Sequence, residues 1–308
     1  MIKKCIGCGL LLQDTNKDAL GYTPNMKNDY CMRCFRLKNY GEKKEENVDL
    51  EGIFKKVNKA QGMAFFLVDF LNINEYTIDL FKRIKMPKAL IISKSDTLRK
   101  DFKHDKIILW LKKVYDIDTP VLFISNKLYM VSSNIFKVMD EYHTKTAYIL
   151  GITNAGKSTF INGILKSNHI HKEILASNKP NTTLDFIKIR VGEYTLFDTP
   201  GFSYENDYLP IVNKEIKPVS LQIKGGTTLV IEDYHIYFSE DNRVVFYAFS
   251  EIKRVYQNTL NDGYSYHLDD NQDIVFPGIG FLNVKNECQI LVNKDGLEVR
   301  MDFSEVVL

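Results

Sequence analysis

The sequence predicts an α/β protein: a mostly parallel sheet with helices on both faces, a small cysteine-bearing module before it and a mainly β domain after it. Between residues 45 and 205, short continuously apolar runs alternate with amphipathic helical ones, as in parallel strands covered on both faces. Within that region, AYILGITNAGKS (147–158) sets Gly-x-x-x-x-Gly-Lys-Ser between an apolar run and a helical one. Beyond Gly201 the texture changes to short aromatic and β-branched runs separated by turn residues.

The first 44 residues hold four of the five cysteines, as Cys5-Ile6-Gly7-Cys8 and Cys31-Met32-Arg33-Cys34. Two residues between thiolates let both sulfurs face one ion, and two such pairs close a tetrahedral zinc site. The loop-rich stretch between them (TPNMKNDY) has too little apolar content to fold alone, so zinc would supply the folding energy. A redox dithiol pair is the rival reading, and it needs a strand–helix setting that is missing here. Cys288, isolated in an apolar run, reads as a small core residue.

From residue 48 the order is helix 50–58, strand 63–70, helix 74–83, strand 89–93, helix 105–115, strand 121–125 and helix 134–141. The phosphate-loop strand and its helix follow, then strands 185–191 and 194–197, the last running into Asp198-Thr199-Pro200-Gly201. A linker with Pro210 and Pro218 leads to candidate strands 228–231, 235–238, 244–249, 274–276, 290–292 and 297–303. The expected domains are thus 1–44, 45–205 and 206–308.

With 308 residues, 44% hydrophobic and 26% charged, the chain has the composition of a globular protein. A net charge of +2 gives no global case for nucleic-acid binding. Its distribution is uneven: +5 over residues 1–44, +4 over 45–205 and −7 over 206–308. Arg33, Arg36, Lys38, Lys43 and Lys44, interleaved with Phe35 and Tyr40, form either a solvated face or an RNA contact. No apolar run reaches the roughly 20 residues of a membrane span, and MIKKCIGCG lacks the apolar core of a signal peptide. The expectation is a cytoplasmic protein with no membrane partner.

The phosphate loop carries specific chemistry. Its backbone N–H groups, from Gly151 through Asn154, Ala155 and Gly156 to Lys157, Ser158 and Thr159, would cradle a triphosphate at a helix N-terminus. Lys157 would reach the β- and γ-phosphates and Ser158 would ligate Mg²⁺. Asp198 would hold the same ion through a water, and the Gly201 N–H would sense the γ-phosphate. Thr182 and Thr183 lie on the loop where a switch threonine belongs, with Thr183 closing the Mg²⁺ shell.

The base is read elsewhere. Ser93-Lys94-Ser95-Asp96 resembles the guanine-reading Asn-Lys-x-Asp of GTPases: Asp96 would accept from guanine N1–H and its amine, and the Lys94 stem would cover the ring. Ser125-Asn126-Lys127 resembles the loop whose backbone N–H meets guanine O6. Both follow strands at the carboxyl end, where such sheets bind ligands. In an ordinary GTPase these loops come last; here they precede the phosphate loop, so the domain is circularly permuted.

That order, together with CIGCG, YCMRCFRLKNY, the VNKEIKP linker and DIVFPGIGFLNV, resembles the YqeH family of circularly permuted GTPases across the whole chain. The resemblance implies GTP and GDP binding, GTP hydrolysis and a structural Zn²⁺. It further implies assembly of the small ribosomal subunit, with the subunit precursor, its rRNA and ribosomal proteins as partners and a C-terminal β domain that contacts RNA. Ser93 stands where the family usually has Asn, so weaker guanine affinity or specificity is expected. An ATP-dependent phosphate-loop enzyme and a zinc-dependent ribosome- or RNA-binding module with vestigial hydrolysis are the alternatives.

Phe202 follows Asp-Thr-Pro-Gly where Ras-like enzymes place a water-orienting Gln, so slow intrinsic hydrolysis is expected. Asn154 resembles the residue that binds potassium in cation-dependent GTPases, and with Lys157 and Thr183 it completes the expected catalytic set. The segment after Gly201 runs straight to the C-terminal domain, so nucleotide state is expected to move that domain.

Overall fold

The computed structural model describes residues 3, 11–15, 22–32, 49–95, 103–124, 131–153, 155–168, 186–202, 218–248 and 251–305. The chain divides into two compact units, Met1–Asn47 and Val48–Leu308.

In the first unit, Leu12 and Cys31 are buried together with Met26 and Tyr30 packed against them. Gln13 bridges Tyr22 in parallel, and Lys3 ties the loop by donating to Lys27 O and pairing with Asp29. Cys5, Cys8 and Cys34 lie outside the described residues. Among the described residues no group of three or more His, Cys, Asp or Glu is arranged to hold a metal ion.

The second unit opens with α1 (Leu50–Lys59), capped by Asp49, whose carboxylate accepts from the Gly52 N–H, and burying Ile53, Phe54 and Val57. β1 (Met63–Asp69) follows, buried at all seven positions. The chain then tightens into a 3₁₀ turn, Phe70–Asn72, so Phe70 leaves the strand that the sequence assigned to it. α2 (Glu75–Lys82) begins with a capping box between Asn74 and Thr77. β2 (Lys88–Ser93), α3 (His104–Tyr115), β3 (Val121–Phe123) and α4 (Val131–Glu141) come next. β4 (Thr146–Gly151) then runs into α5 (Lys157–Ser167), followed by β5 (Ile187–Val191) and β6 (Tyr194–Asp198).

The six strands form one sheet in the order β3-β2-β1-β4-β6-β5, parallel except for the β5–β6 pair. β4 is central. The strands that carry the expected base-reading loops lie on one side of it, and β6, which ends at Asp198, lies on the other. Every strand but β5 therefore points its carboxyl end to the same edge, and the chain reaches the base side first.

The C-terminal part is a sandwich of two antiparallel five-stranded sheets. Its strands are β7 (Val219–Ile223), β8 (Thr227–Ile231), β9 (Tyr234–Phe238), β10 (Asn242–Ala248), β11 (Ile252–Val255), β12 (Tyr264–Leu268), β13 (Gln272–Phe276), β14 (Gly280–Val284), β15 (Cys288–Val292) and β16 (Val299–Met301). The sheet orders are β16-β13-β14-β10-β7 and β11-β8-β9-β15-β12, with Leu229, Phe238, Phe246, Phe276, Leu282 and Ile290 in the core between them. Cys288 is buried in that core, as a small apolar residue would be. Four of these strands, β7, β11, β12 and β14, were not assigned from sequence. β11 carries Lys253 and Arg254 at a sheet edge, and β12 is the opposite edge strand, whose alternating Tyr264, Tyr266 and Leu268 bury only Leu268 fully. The 297–303 run divides into β16 and a second 3₁₀ turn, Phe303–Glu305.

The outer face of the first sheet docks on the elements that leave β1 and β2. Phe70 meets Phe281 and Phe303 edge-on, at centroid separations of 6.0 and 5.4 Å. Val275, Phe281 and Phe303 belong to the same hydrophobic cluster as the β1 and β4 side chains. The Trp110 indole donates to Met301 O at 2.8 Å, and Arg300 donates to Ile73 O and to the Tyr115 hydroxyl. Glu298 accepts from the Glu75 N–H and from Tyr115. Beneath Arg300 lies fully buried Asp273, which accepts from Asn283; burial, reinforced by nearby Asp302, pushes its carboxyl up to about 7. The C-terminal sandwich is thus held by the elements that leave β1 and β2, not tethered through residues 203–217 alone.

Candidate functional site: a phosphate loop flanked by base-reading and switch strands

The phosphate loop leaves β4 through Gly151. Its φ is +149°, and a side chain there would collide with the Leu67 carbonyl of β1, so only glycine lets β4 exit beneath its neighbour. Gly156 adopts the left-handed region at φ +84°, with open space where a Cβ would stand. Among the described residues no side chain caps α5, which leaves its first-turn N–H groups beside that space. This arrangement is an anion cradle at a helix N-terminus.

Lys157 extends from the first turn of α5. Its side chain is 12% exposed, and its ammonium donates to Asp198 Oδ1 at 2.6 Å and to Thr199 O. Thr199 is in turn fixed to β4 by its N–H and its hydroxyl, both donating to Ile149 O. The Phe202 N–H donates to Gly151 O, while Thr153 donates its N–H and its hydroxyl to Phe202 O. Asp198-Thr199-Pro200-Gly201 is therefore tied to β4 and the phosphate loop at both ends, and Thr153 is the first neighbour that a Cβ on Gly201 would meet. Triphosphate oxygens entering the cradle would replace Asp198 and Thr199 as acceptors for Lys157. That would free Asp198, a hard oxygen ligand suited to Mg²⁺.

Phe202 points inward. Its ring is fully buried, stacking on Phe54 of α1 at 5.4 Å and lying tilted against Phe66 of β1 at 5.9 Å. The side chain at this position cannot orient an attacking water.

On the base side, Ser93 is buried and its hydroxyl donates to Val68 O at 3.4 Å. Lys94 takes φ +55°, and its ammonium stands 3.6 Å from Asp69 Oδ2. Ser95 donates its N–H and its hydroxyl to Ile124 O, tying the loop after β2 to the segment leaving β3. The two expected base-reading loops thus begin side by side.

The described residues bring together Gly151, Ala155, Gly156, Lys157, Asp198 and Gly201 around the phosphate loop, with Thr159 exposed on the first turn of α5. Ser93 and Lys94 stand at the end of β2. Asn154, Thr182, Thr183, Asp96, Ser125, Asn126, Lys127 and the side chain of Ser158 lie outside the described residues. Sequence reasoning missed Asp69, Asn72, Thr153 and Phe54. Asp69 had a usable signal: it is the acidic residue closing an otherwise apolar strand, at the edge of the sheet where ligands bind.

A family profile described as "50S ribosome-binding GTPase" matches residues 146–249. "Uncharacterized protein YqeH" of Bacillus subtilis is 31% identical over 73% of this chain and 69% of its own length. "NO-associated protein 1, chloroplastic/mitochondrial" of Arabidopsis thaliana is 25% identical over 70% of this chain and 46% of its own length. "GTPase Der" of Buchnera aphidicola is 29% identical over 61% of this chain and 49% of its own length. The chain spans about half the length of the latter two. With the YqeH match covering most of both chains, and the base-reading strands preceding the phosphate-loop strand within one sheet, the chain belongs to the YqeH family of circularly permuted GTPases.

Proposed function

We propose that this GTPase is an assembly factor for the small ribosomal subunit, acting in the cytoplasm on the subunit precursor, its rRNA and ribosomal proteins. The observation that carries the nucleotide chemistry is the convergence of Lys94, Lys157 and Asp198 at the carboxyl edge of one sheet, after β2, at the start of α5 and at the end of β6. The phosphate-loop N–H groups and Lys157 bind the triphosphate. Asp96, Lys94 and the 125–127 loop read guanine. Ser158, Thr183 and Asp198 hold Mg²⁺, which stabilises charge on the β- and γ-phosphates when bound.

Asn154 takes K⁺ to support hydrolysis, since buried Phe202 offers no polar group to the attacking water. Residues 1–44 hold Zn²⁺ through Cys5, Cys8, Cys31 and Cys34, residues 45–205 hydrolyse GTP, and residues 206–308 meet RNA. Nucleotide state reaches the C-terminal domain by two routes: residues 203–217 after Gly201, and the Phe70, Ile73 and Trp110 contacts.

Sedimentation with purified ribosomal subunits and precursors tests this reading. Co-sedimentation with the small-subunit precursor in one nucleotide state and release in the other is expected. Binding only to the large subunit, or equal binding in both states, would overturn it.

A further inference from the structure

We infer that Asp69 is a positioning residue of the guanine pocket, tethering Lys94 and so supplying the brace that Ser93 only half provides. The inference rests on the proposed assignment of Lys94 and Asp96 to base reading.

Asp69 closes β1, in register with Ser93 at the end of β2, so the two strand ends lie side by side. Its side chain is almost fully buried, at 3% exposure, and a buried carboxylate needs both hydrogen bonds and a counter-charge. It has both. The Asn72 amide donates to Oδ1 at 3.0 Å and to Oδ2 at 2.9 Å, and the Lys94 ammonium approaches Oδ2 at 3.6 Å. Asn72 is itself seated by the Thr77 hydroxyl, which donates to its carbonyl at 2.8 Å. The carboxylate is therefore aimed from below by the 3₁₀ turn and presents its charge to Lys94.

Lys94 benefits in two ways. A non-glycine residue at φ +55° is held in a sparsely populated backbone region that the surroundings must enforce. Its side chain, only 14% exposed, must also lie down for its stem to cover a base. Ser93 contributes a single hydroxyl link of 3.4 Å to Val68, at the long end of the hydrogen-bond range. The Asp69–Lys94 pair adds a second side-chain link to the paired backbones of the same two strand ends, shielded from solvent where a charge pair counts for more than at the surface.

The test is a double-mutant cycle on GDP affinity with Asp69→Asn and Lys94→Met, the latter keeping the stem without its charge. Inorganic tripolyphosphate serves as the base-free probe. Each single variant is expected to weaken GDP binding about tenfold, and the double variant by the same tenfold rather than a hundredfold, because both remove one tether. Tripolyphosphate affinity should stay unchanged; a merely structural loss would weaken both ligands. Additive losses, or equal losses for GDP and tripolyphosphate, overturn the proposal.

Should Asp69→Asn not fold, Asn72→Ser, which removes the hydrogen bonds aiming the carboxylate, must give the same GDP-selective loss; unchanged GDP affinity there is equally fatal. Asp96→Asn separates the two layers. If it fails to trade GDP for xanthosine diphosphate, the base assignment falls and this proposal with it. If the trade occurs and the cycle is additive, only the role of Asp69 falls.

Discussion

The ring of Phe202 stacks on that of Phe54 at 5.4 Å, so the residue following Gly201 is a core residue that ties the segment after β6 to α1. Phe202→Ala should cost about 3–5 kcal/mol of stability, the range for emptying a buried aromatic site. Phe202→Gln should not raise the hydrolysis rate, because its amide enters the same apolar site beside Phe54 and Phe66. Thermal unfolding together with single-turnover hydrolysis checks both. A Gln variant that is stable and faster would show that the position faces the nucleotide.

On the proposed reading, a cation held by Asn154 supports the hydrolysis that buried Phe202 cannot. Turnover should be higher in K⁺ than in Na⁺ at equal ionic strength, and Asn154→Ala should abolish that difference while leaving GDP affinity intact. Equal rates in the two salts would remove Asn154 from the mechanism.

Docking of the C-terminal sandwich depends on Arg300, which reaches Ile73 O and Tyr115 from beside buried Asp273. Arg300→Met strips the counter-charge from that carboxylate and should cost about 3–5 kcal/mol. Hydrogen exchange should then rise first at α3 and β16, on the two sides of the docked face. Uniform exchange across the chain would mean that the interface does not behave as a unit.

Asp273 also predicts a pH dependence. Burial, with Asp302 adding like charge against the opposing pull of Arg300 and Asn283, raises its carboxyl to about 7 from an unfolded value of 3.8. Between those values the folded chain binds the extra proton, so stability from this group is full below about pH 4 and is lost as pH rises through about 7. Asp273→Asn lacks this loss. The melting temperature of the variant minus that of the wild type should therefore climb between pH 5 and pH 8; a constant difference would contradict the assignment.

Zinc should be found at one ion per chain, and Cys31→Ser should release it. A chelator should unfold the first unit while the Val48–Leu308 unit, with its own hydrophobic clusters, stays folded. Loss of both units together would show that the metal supports the whole chain.

The parallel sheet was legible because β1, β2 and β4 are buried on both faces and read as unbroken apolar runs, each followed by turn or loop chemistry. The permutation was legible because motif order survives in a linear chain. The docked sandwich was not. β14 buries all five residues, Leu282 and Val284 in the sandwich core and Phe281 against Phe70, so it lacks the alternation that marks a half-exposed strand. The Asp69–Lys94 link was hidden for a different reason: its partners are 25 residues apart, and only the β1–β2 register brings them side by side.

On the proposed reading, guanine is read by the loops after β2 and β3, and phosphate is held where β4 runs into α5. Competition against a fluorescent GDP analogue tests it most directly, using GTP, ATP and xanthosine triphosphate on the wild type and on Asp96→Asn. Displacement by GTP and not by ATP is expected in the wild type, and a switch to xanthosine triphosphate in the variant. Equal displacement by ATP and GTP, unaltered by Asp96→Asn, would contradict it.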